Sequence, residues 1–156
     1  MTQKIKTEKV LAAYQVLSQA KYGKLSDDEK IKVWKIARAM KPVADGLNET
    51  IEDANEKFKP EGYDEELQKF NTVKSMMRDA NADITTAPMG PAEADQWYIN
   101  VFTPYQNLVN HAVSEFSKKD VEVSFDKLSD EVFGKLLASN EWTMGQVVML
   151  GELICE

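Results

Sequence analysis

Apolar positions recur in helical steps over most of the chain and in steps of two over one short stretch. Over about residues 7–22, Val10, Ala13, Tyr14 and Leu17 lie three and four apart. That is the spacing of an amphipathic helix, with Thr7 as its cap and Gly23 as its stop. Ser26 and Glu29 then make a capping box, with Asp27 and Asp28 in the first turn where the helix dipole favours them. The stripe that follows, Val33, Ala37, Met40, Ala44, Leu47, Ile51, Ala54 and Phe58, predicts one long helix that Pro42 kinks or splits. A third helix over about 64–79 carries Leu67, Phe70, Val73 and Met77 on one side. "NADITTAPMGP" (81–91) has no period and reads as the longest loop. Pro91 suits the first turn of a fourth helix reaching about residue 118, interrupted by Pro104, with an apolar face running from Trp97 through Tyr105 to Phe116. A second "KLSD" starts a short helix near 130–139, and Thr143 with Gln146 boxes the start of a last helix ending at Ile154.

"DVEVSFDKL" (120–128) breaks this grammar. Val121, Val123 and Phe125 alternate with Glu122, Ser124 and Asp126, the period of a half-buried strand. A lone strand leaves its ladder groups open, so it needs a partner. Residues 3–6 are the only other extended stretch. Pairing them sets Lys4 and Lys6 against Glu122 and Asp126 on the polar face, with Ile5 joining the valines below. Pairing with another chain stays open as the alternative. The expected fold is a single domain over residues 1–156, mostly α (α+β). It has about five or six helices, two of them long and proline-interrupted, and a small two-stranded β-ribbon.

Charge adds an asymmetry. Residues 1–41 hold ten Lys or Arg against four Asp or Glu, and residues 42–156 hold nine against twenty-two, so the net −7 divides into +6 and −13. Such a step hints at oriented association, although uneven solvated surfaces also produce it. A chain of 156 residues can bury a sufficient core without staples. The single Cys155 permits no disulfide within the chain. No apolar run is long enough to span a membrane, and the first residues lack the pattern of a secretory leader. Those features lead us to expect a cytoplasmic protein with no membrane partner.

Candidate chemistry is sparse. His111, the only histidine, falls on the polar side of the fourth helix with no metal-ligating neighbour in sequence. Glu49/Asp53 and Glu52/Glu56 are carboxylate pairs one turn apart, which is also the look of any acidic helix face. The glycines form no phosphate loop. Cys155 stands beside Glu156 and near Glu152, and negative neighbours disfavour a thiolate. The expectation is therefore a protein that is not an enzyme and needs no cofactor or metal. Lys35, Arg38 and Lys41 share a helix face with Trp34, the ingredients of a single-strand nucleic-acid platform. No nucleic-acid-binding motif accompanies them and the overall charge is acidic, so a protein partner fits better. Ile31 and Trp34 form an apolar pair outside the main stripe, which either receives the first helix or stays exposed as a binding hot spot.

"KIKTEKVLAAYQVL" at the start and "VEVSFDKLSDEVFGKLLASNEWTMGQVVMLGELI" at the end resemble small bacteriophage and prophage proteins of unknown function. Those proteins are encoded in late, structural gene modules near tail genes, in prophages of the gut Bacteroides type. Residues 60–100 carry little of the likeness. The resemblance implies a location in the cytoplasm of a bacterial host, with incorporation into the virion left open, and it supplies no catalytic residues. The expected function is a non-enzymatic interaction protein that assists virion or tail assembly by binding a structural protein. Ile31, Trp34, Lys35 and Arg38 form one candidate surface, and the strand edge at Val121, Val123 and Phe125 the other. The alternative is a host-directed inhibitor whose acidic helix face (Glu49, Glu52, Asp53, Glu56) imitates nucleic acid. Neither reading fixes the oligomeric state.

Overall fold

The computed structural model describes residues 1–156. The chain runs β1 (Thr2–Lys6), α1 (Thr7–Ser18), α2 (Asp27–Phe58), α3 (Tyr63–Arg78), α4 (Pro91–Trp97), α5 (Thr103–Lys118), β2 (Asp120–Ser124), α6 (Asp130–Ala138) and α7 (Met144–Ile154). A single 3₁₀ turn, Ile84–Thr86, sits in the loop before α4, and a π-helical turn, Tyr98–Phe102, joins α4 to α5. Counting 91–118 as one rod, this is a six-helix, mostly α protein with one two-stranded antiparallel ribbon. The fold class expected from the period of the sequence is the one observed.

Two compact units form, Met1–Glu49 with Ser114–Glu156, and Thr50–Val113. In the first, β1 pairs antiparallel with β2 in the register Thr2↔Ser124, Lys4↔Glu122, Lys6↔Asp120. Glu122 therefore stands where the alternation put it, but Lys6 meets Asp120 and not Asp126. An antiparallel partner runs backwards, so moving up β1 from Lys4 means moving down β2 from Glu122. Asp126 instead faces the Met1 amine at 3.4 Å. Beneath the ribbon, Ile5, Val123 and Phe125 join Val10, Ala13 and Leu17 of α1. Val33, Ile36, Met40 and Val43 of α2 complete one side of this core, and Val132, Leu136, Leu150 and Ile154 of α6 and α7 the other. Full burial of each such aliphatic side chain contributes about 1.5–3 kcal/mol.

The local signals are mostly honoured. Ser26 and Glu29 close their box, with Glu29 Oε2 accepting from the Ser26 N–H at 2.7 Å. Thr143 and Gln146 do the same for α7, and Ser129 caps α6. Thr7 does not cap α1. Its hydroxyl donates to the Lys119 carbonyl at 2.8 Å, and its N–H bonds the same oxygen, tying α1 to the start of β2. α2 continues through Pro42 without splitting, because buried Met40 and Val43 on either side anchor both halves in the same core. Pro104 falls in the first turn of α5, directly after the π-helical turn, where the altered hydrogen-bond step absorbs the missing N–H. Past α7, Leu128 and Cys155 form a short parallel bridge, with the Leu128 N–H donating to Ile154 at 2.7 Å.

The second unit is held by rings. Tyr63 lies edge-on to Tyr105 with centroids 4.7 Å apart and 5.6 Å from Trp97, and Phe70 lies 5.3 Å from Trp97. Tyr105 donates its hydroxyl hydrogen bond to Asn55. Gly62, at φ +71, opens α3 in the left-handed region where a side chain would strain the backbone. Val73, Met89 and Ala94 form a smaller neighbouring cluster.

Candidate functional site

Trp34 is 53 % exposed and Ile31 49 %, so the apolar pair outside the main stripe of α2 does not pack beneath α1. The Trp34 ring borders a shallow hollow of about 460 Å³ whose floor is Tyr14 and Leu17 of α1, with Tyr22 and Ala37. Arg38, one turn on, lays its guanidinium 5.1 Å from the indole centroid, and Lys41 closes the rim. Lys41 is held in place by Asp45 at 2.7 Å, and that carboxylate raises the lysine's pKa. Tyr22 lines the same hollow, and partial burial raises its pKa. A flat, partly exposed indole pinned by a cation over an apolar floor is an arrangement that buries readily against a partner.

Not every residue expected on that face belongs to it. Lys35, a fraction of a turn round the helix, lines a separate polar hollow with Lys32, Asp126, Lys127, Ser129 and Glu156. The strand candidates divide in the same way. Val123 and Phe125 are buried in the core, and Val121 is half-buried and paired to Ile5. Their side chains are spent on the fold, and the edge of β2 facing β1 is occupied within the chain.

A second concavity had no counterpart in the sequence reading. An open trench of about 750 Å³ runs between β1 and α7, with Met144, Val148, Met149 and Leu153 on the helix side. Lys4, Ile5 and Lys6 of β1 and Lys9 of α1 line it too, together with Asp120 and Glu152. Met144 is 75 % exposed and Val148 52 %. One signal was available: α7, "MGQVVMLGELI", is apolar apart from Gln146 and Glu152, and a helix that apolar on a small protein either sits mostly inside or leaves apolar surface bare.

His111 is exposed on α5. The Cys155 thiol is buried, donates to Asp130 Oδ1 at 3.3 Å, and has its pKa pushed up first by burial and then by that carboxylate. Glu49, Glu52, Asp53 and Glu56 are exposed on α2. No cluster of three or more His, Cys, Asp or Glu is grouped to hold a metal ion. No helix is long and apolar enough to cross a membrane.

No family model, curated protein or solved structure matches this chain. The Trp34 hollow and the α7 trench each expose apolar area in a shaped setting.

Proposed function

We propose that this chain is a non-enzymatic interaction protein of phage or prophage origin that assists virion or tail assembly by binding a structural protein. The origin rests on the resemblance of its first and last segments to late-module phage proteins. The binding role rests on one observation, the half-exposed Trp34 with Arg38 over its ring at the lip of an apolar hollow. Tryptophan and arginine are the residue types that most often dominate binding energy at protein interfaces.

A tagged chain recovered from induced source cells, with bound proteins identified by mass spectrometry, tests this. Tail or capsid components should co-purify. Trp34→Ala and Arg38→Glu should each weaken that capture by about tenfold or more. Arg38→Glu should change stability by less than about 0.5 kcal/mol, whereas Trp34→Ala costs about 1–2 kcal/mol for the buried half of the ring and leaves the fold intact by circular dichroism. Lys35→Glu, in the neighbouring polar hollow, should leave capture nearly intact. Undiminished capture by the Trp34→Ala variant sinks the assignment of this surface.

A second reading has its own support. Glu52, Asp53 and Glu56 of the second unit are exposed and make no ion pair, so their charge is uncompensated. Such a face suits imitation of a phosphate backbone toward a host nucleic-acid-binding protein. Recovery of that kind of protein, lost on Glu52→Lys with Glu56→Lys and indifferent to Trp34→Ala, would favour it.

A further inference from the structure

The trench between β1 and α7 has the chemistry of a strand-binding site. Its lining takes three consecutive residues of β1, Lys4, Ile5 and Lys6, whose side chains alternate between the two faces of the ribbon. A concavity that touches all three is not confined to one face of the strand, and it also takes in Asp120 of β2 and Glu152 of α7. The ladder fixes what that edge offers. Met1 exchanges both backbone bonds with Phe125, and the Thr7 N–H bonds Lys119. By antiparallel alternation the odd-numbered residues of β1 point their N–H and C=O toward β2. Thr2 and Lys4 therefore present both groups outward, and Lys6 its N–H, with no third strand in the ribbon to receive them; the Lys6 carbonyl, at the N-cap of α1, belongs to the helix.

Lysines on an edge strand commonly guard it against pairing. Here they lean the other way. Lys6 Nζ is 2.8 Å from Asp120 and donates to the Lys118 carbonyl at 3.3 Å, and Lys4 reaches the same aspartate at 3.8 Å. Asp120 and Lys118 hold these lysine heads at the start of β2, and Asp120 itself lines the trench along with bare Met144 and Val148.

The occupant's sequence follows from the partner β1 already has. β2 sets Glu122 opposite Lys4, Asp120 opposite Lys6 and Val121 opposite Ile5. A strand on the other edge meets the same two faces. It needs acidic residues on the lysine face and apolar ones on the Ile5 face, where Val148 and Met149 extend the floor. A second copy of the chain fits poorly, because overlapping two whole β1 strands sets Lys4 against Lys4 or Lys6. We propose that this trench binds an extended segment of another protein, alternating acidic and apolar residues, which adds to β1 as a third strand. The site shares no residue with the Trp34 hollow.

The test uses the whole chain and an end-blocked fluorescent peptide of alternating glutamate and valine, read by anisotropy, with a lysine–valine peptide as control. The acidic peptide binds saturably and the basic one does not. Val148→Glu, at a position open enough to leave the fold intact by circular dichroism, weakens binding about tenfold or more. Lys6→Pro and Lys6→Ala separate backbone from charge. Lys6 has φ −61, which suits proline, and its N–H bonds nothing in β2, so the ribbon survives the change. Lys6→Pro loses about fivefold more affinity than Lys6→Ala, the effect of one backbone hydrogen bond. Trp34→Ala changes nothing. Absence of saturable binding overturns the proposal, as does equal binding of the basic peptide, or binding that survives both Val148→Glu and Lys6→Pro. A concentration-dependent dimer abolished by Val148→Glu would overturn it in favour of a second copy.

Discussion

Glu29 performs two tasks with one carboxylate. One oxygen accepts from the Ser26 N–H at 2.7 Å and closes the N-terminal box of α2, while the other takes Lys135 Nζ of α6 at 2.7 Å. Lys135 also reaches Glu131, one turn back on its own helix, at 3.0 Å. The Lys135 hydrogen bond, and then the backbone bond at Ser26, pull the Glu29 pKa from the ordinary 4.5 down to about 2. A carboxyl held below its unfolded value stabilises the fold above that value and ceases to as pH falls through the folded one. Between about pH 4.5 and about 2, the native chain should therefore lose melting temperature more steeply than Glu29→Gln. Glutamine still accepts from the Ser26 N–H, so the difference between the two curves isolates the charge. Thermal melts across that range check it, and parallel curves would mean that the Lys135 pair contributes nothing. Cys155 shows the opposite case, a thiol driven away from its reactive form by burial and Asp130. Half of that is legible along the chain, since Glu156 is an adjacent negative neighbour, whereas Asp130 becomes adjacent only through the fold.

Among the elements, α2 shows where propensity loses to packing. Proline in a helix interior costs about 3 kcal/mol relative to alanine. Pro42 nonetheless sits inside an unbroken helix because Val33, Ile36, Met40 and Val43 are all buried in one core. Ile36 is fully buried yet lay outside the stripe read from the sequence. A helix packed on two neighbours buries a wider arc than one line of three-and-four steps. Replacing exposed Pro42 by alanine restores a hydrogen bond to Arg38 and removes the ring's clash. Part of that gain is offset by the greater freedom of the unfolded chain, about 0.4–1 kcal/mol. A net gain of about 2 kcal/mol is expected, or about 4–8 °C in melting temperature for a chain of this length. An unchanged or lowered melt would show that the core needs the local shape Pro42 imposes. The ribbon was legible to a similar depth. A period of two at 121–125 found β2, and the shortage of other extended sequence found β1. The register at Lys6 required knowing that the strands run in opposite directions. The trench was not legible at all, because its walls come from opposite ends of the chain, and nothing in β1 alone says that α7 will lie beside it.

For the molecule as a whole, the division of buried residues bears on how it opens. The first unit gathers one continuous core of nineteen buried residues, many of them with no exposed surface. The second has two clusters of three, Tyr63 with Trp97 and Tyr105, and Val73 with Met89 and Ala94. Its rings are numerous, but Tyr98 and Ile99 remain 44 % and 60 % exposed, so much of that apolar area stays in water. Local opening free energy follows buried apolar contact, and a unit with less of it exchanges its amide hydrogens through smaller fluctuations. Backbone amides of α3 and α4 should therefore exchange with deuterium well before those of α1, α6 and the cross-strand-bonded amides of β1 and β2. The contrast should be greatest between Val73 at the centre of α3 and Val10 or Leu136 at the centre of the first core, since all three are fully buried and differ only in what surrounds them. Mild denaturant should narrow the gap if the second unit opens separately, because the smaller opening exposes less surface and responds less to denaturant. Equal protection of Val73 and Val10, with the same denaturant dependence, would show that both units open in one cooperative step. The ring contacts of Tyr63, Trp97 and Tyr105 would then be worth more than their area implies.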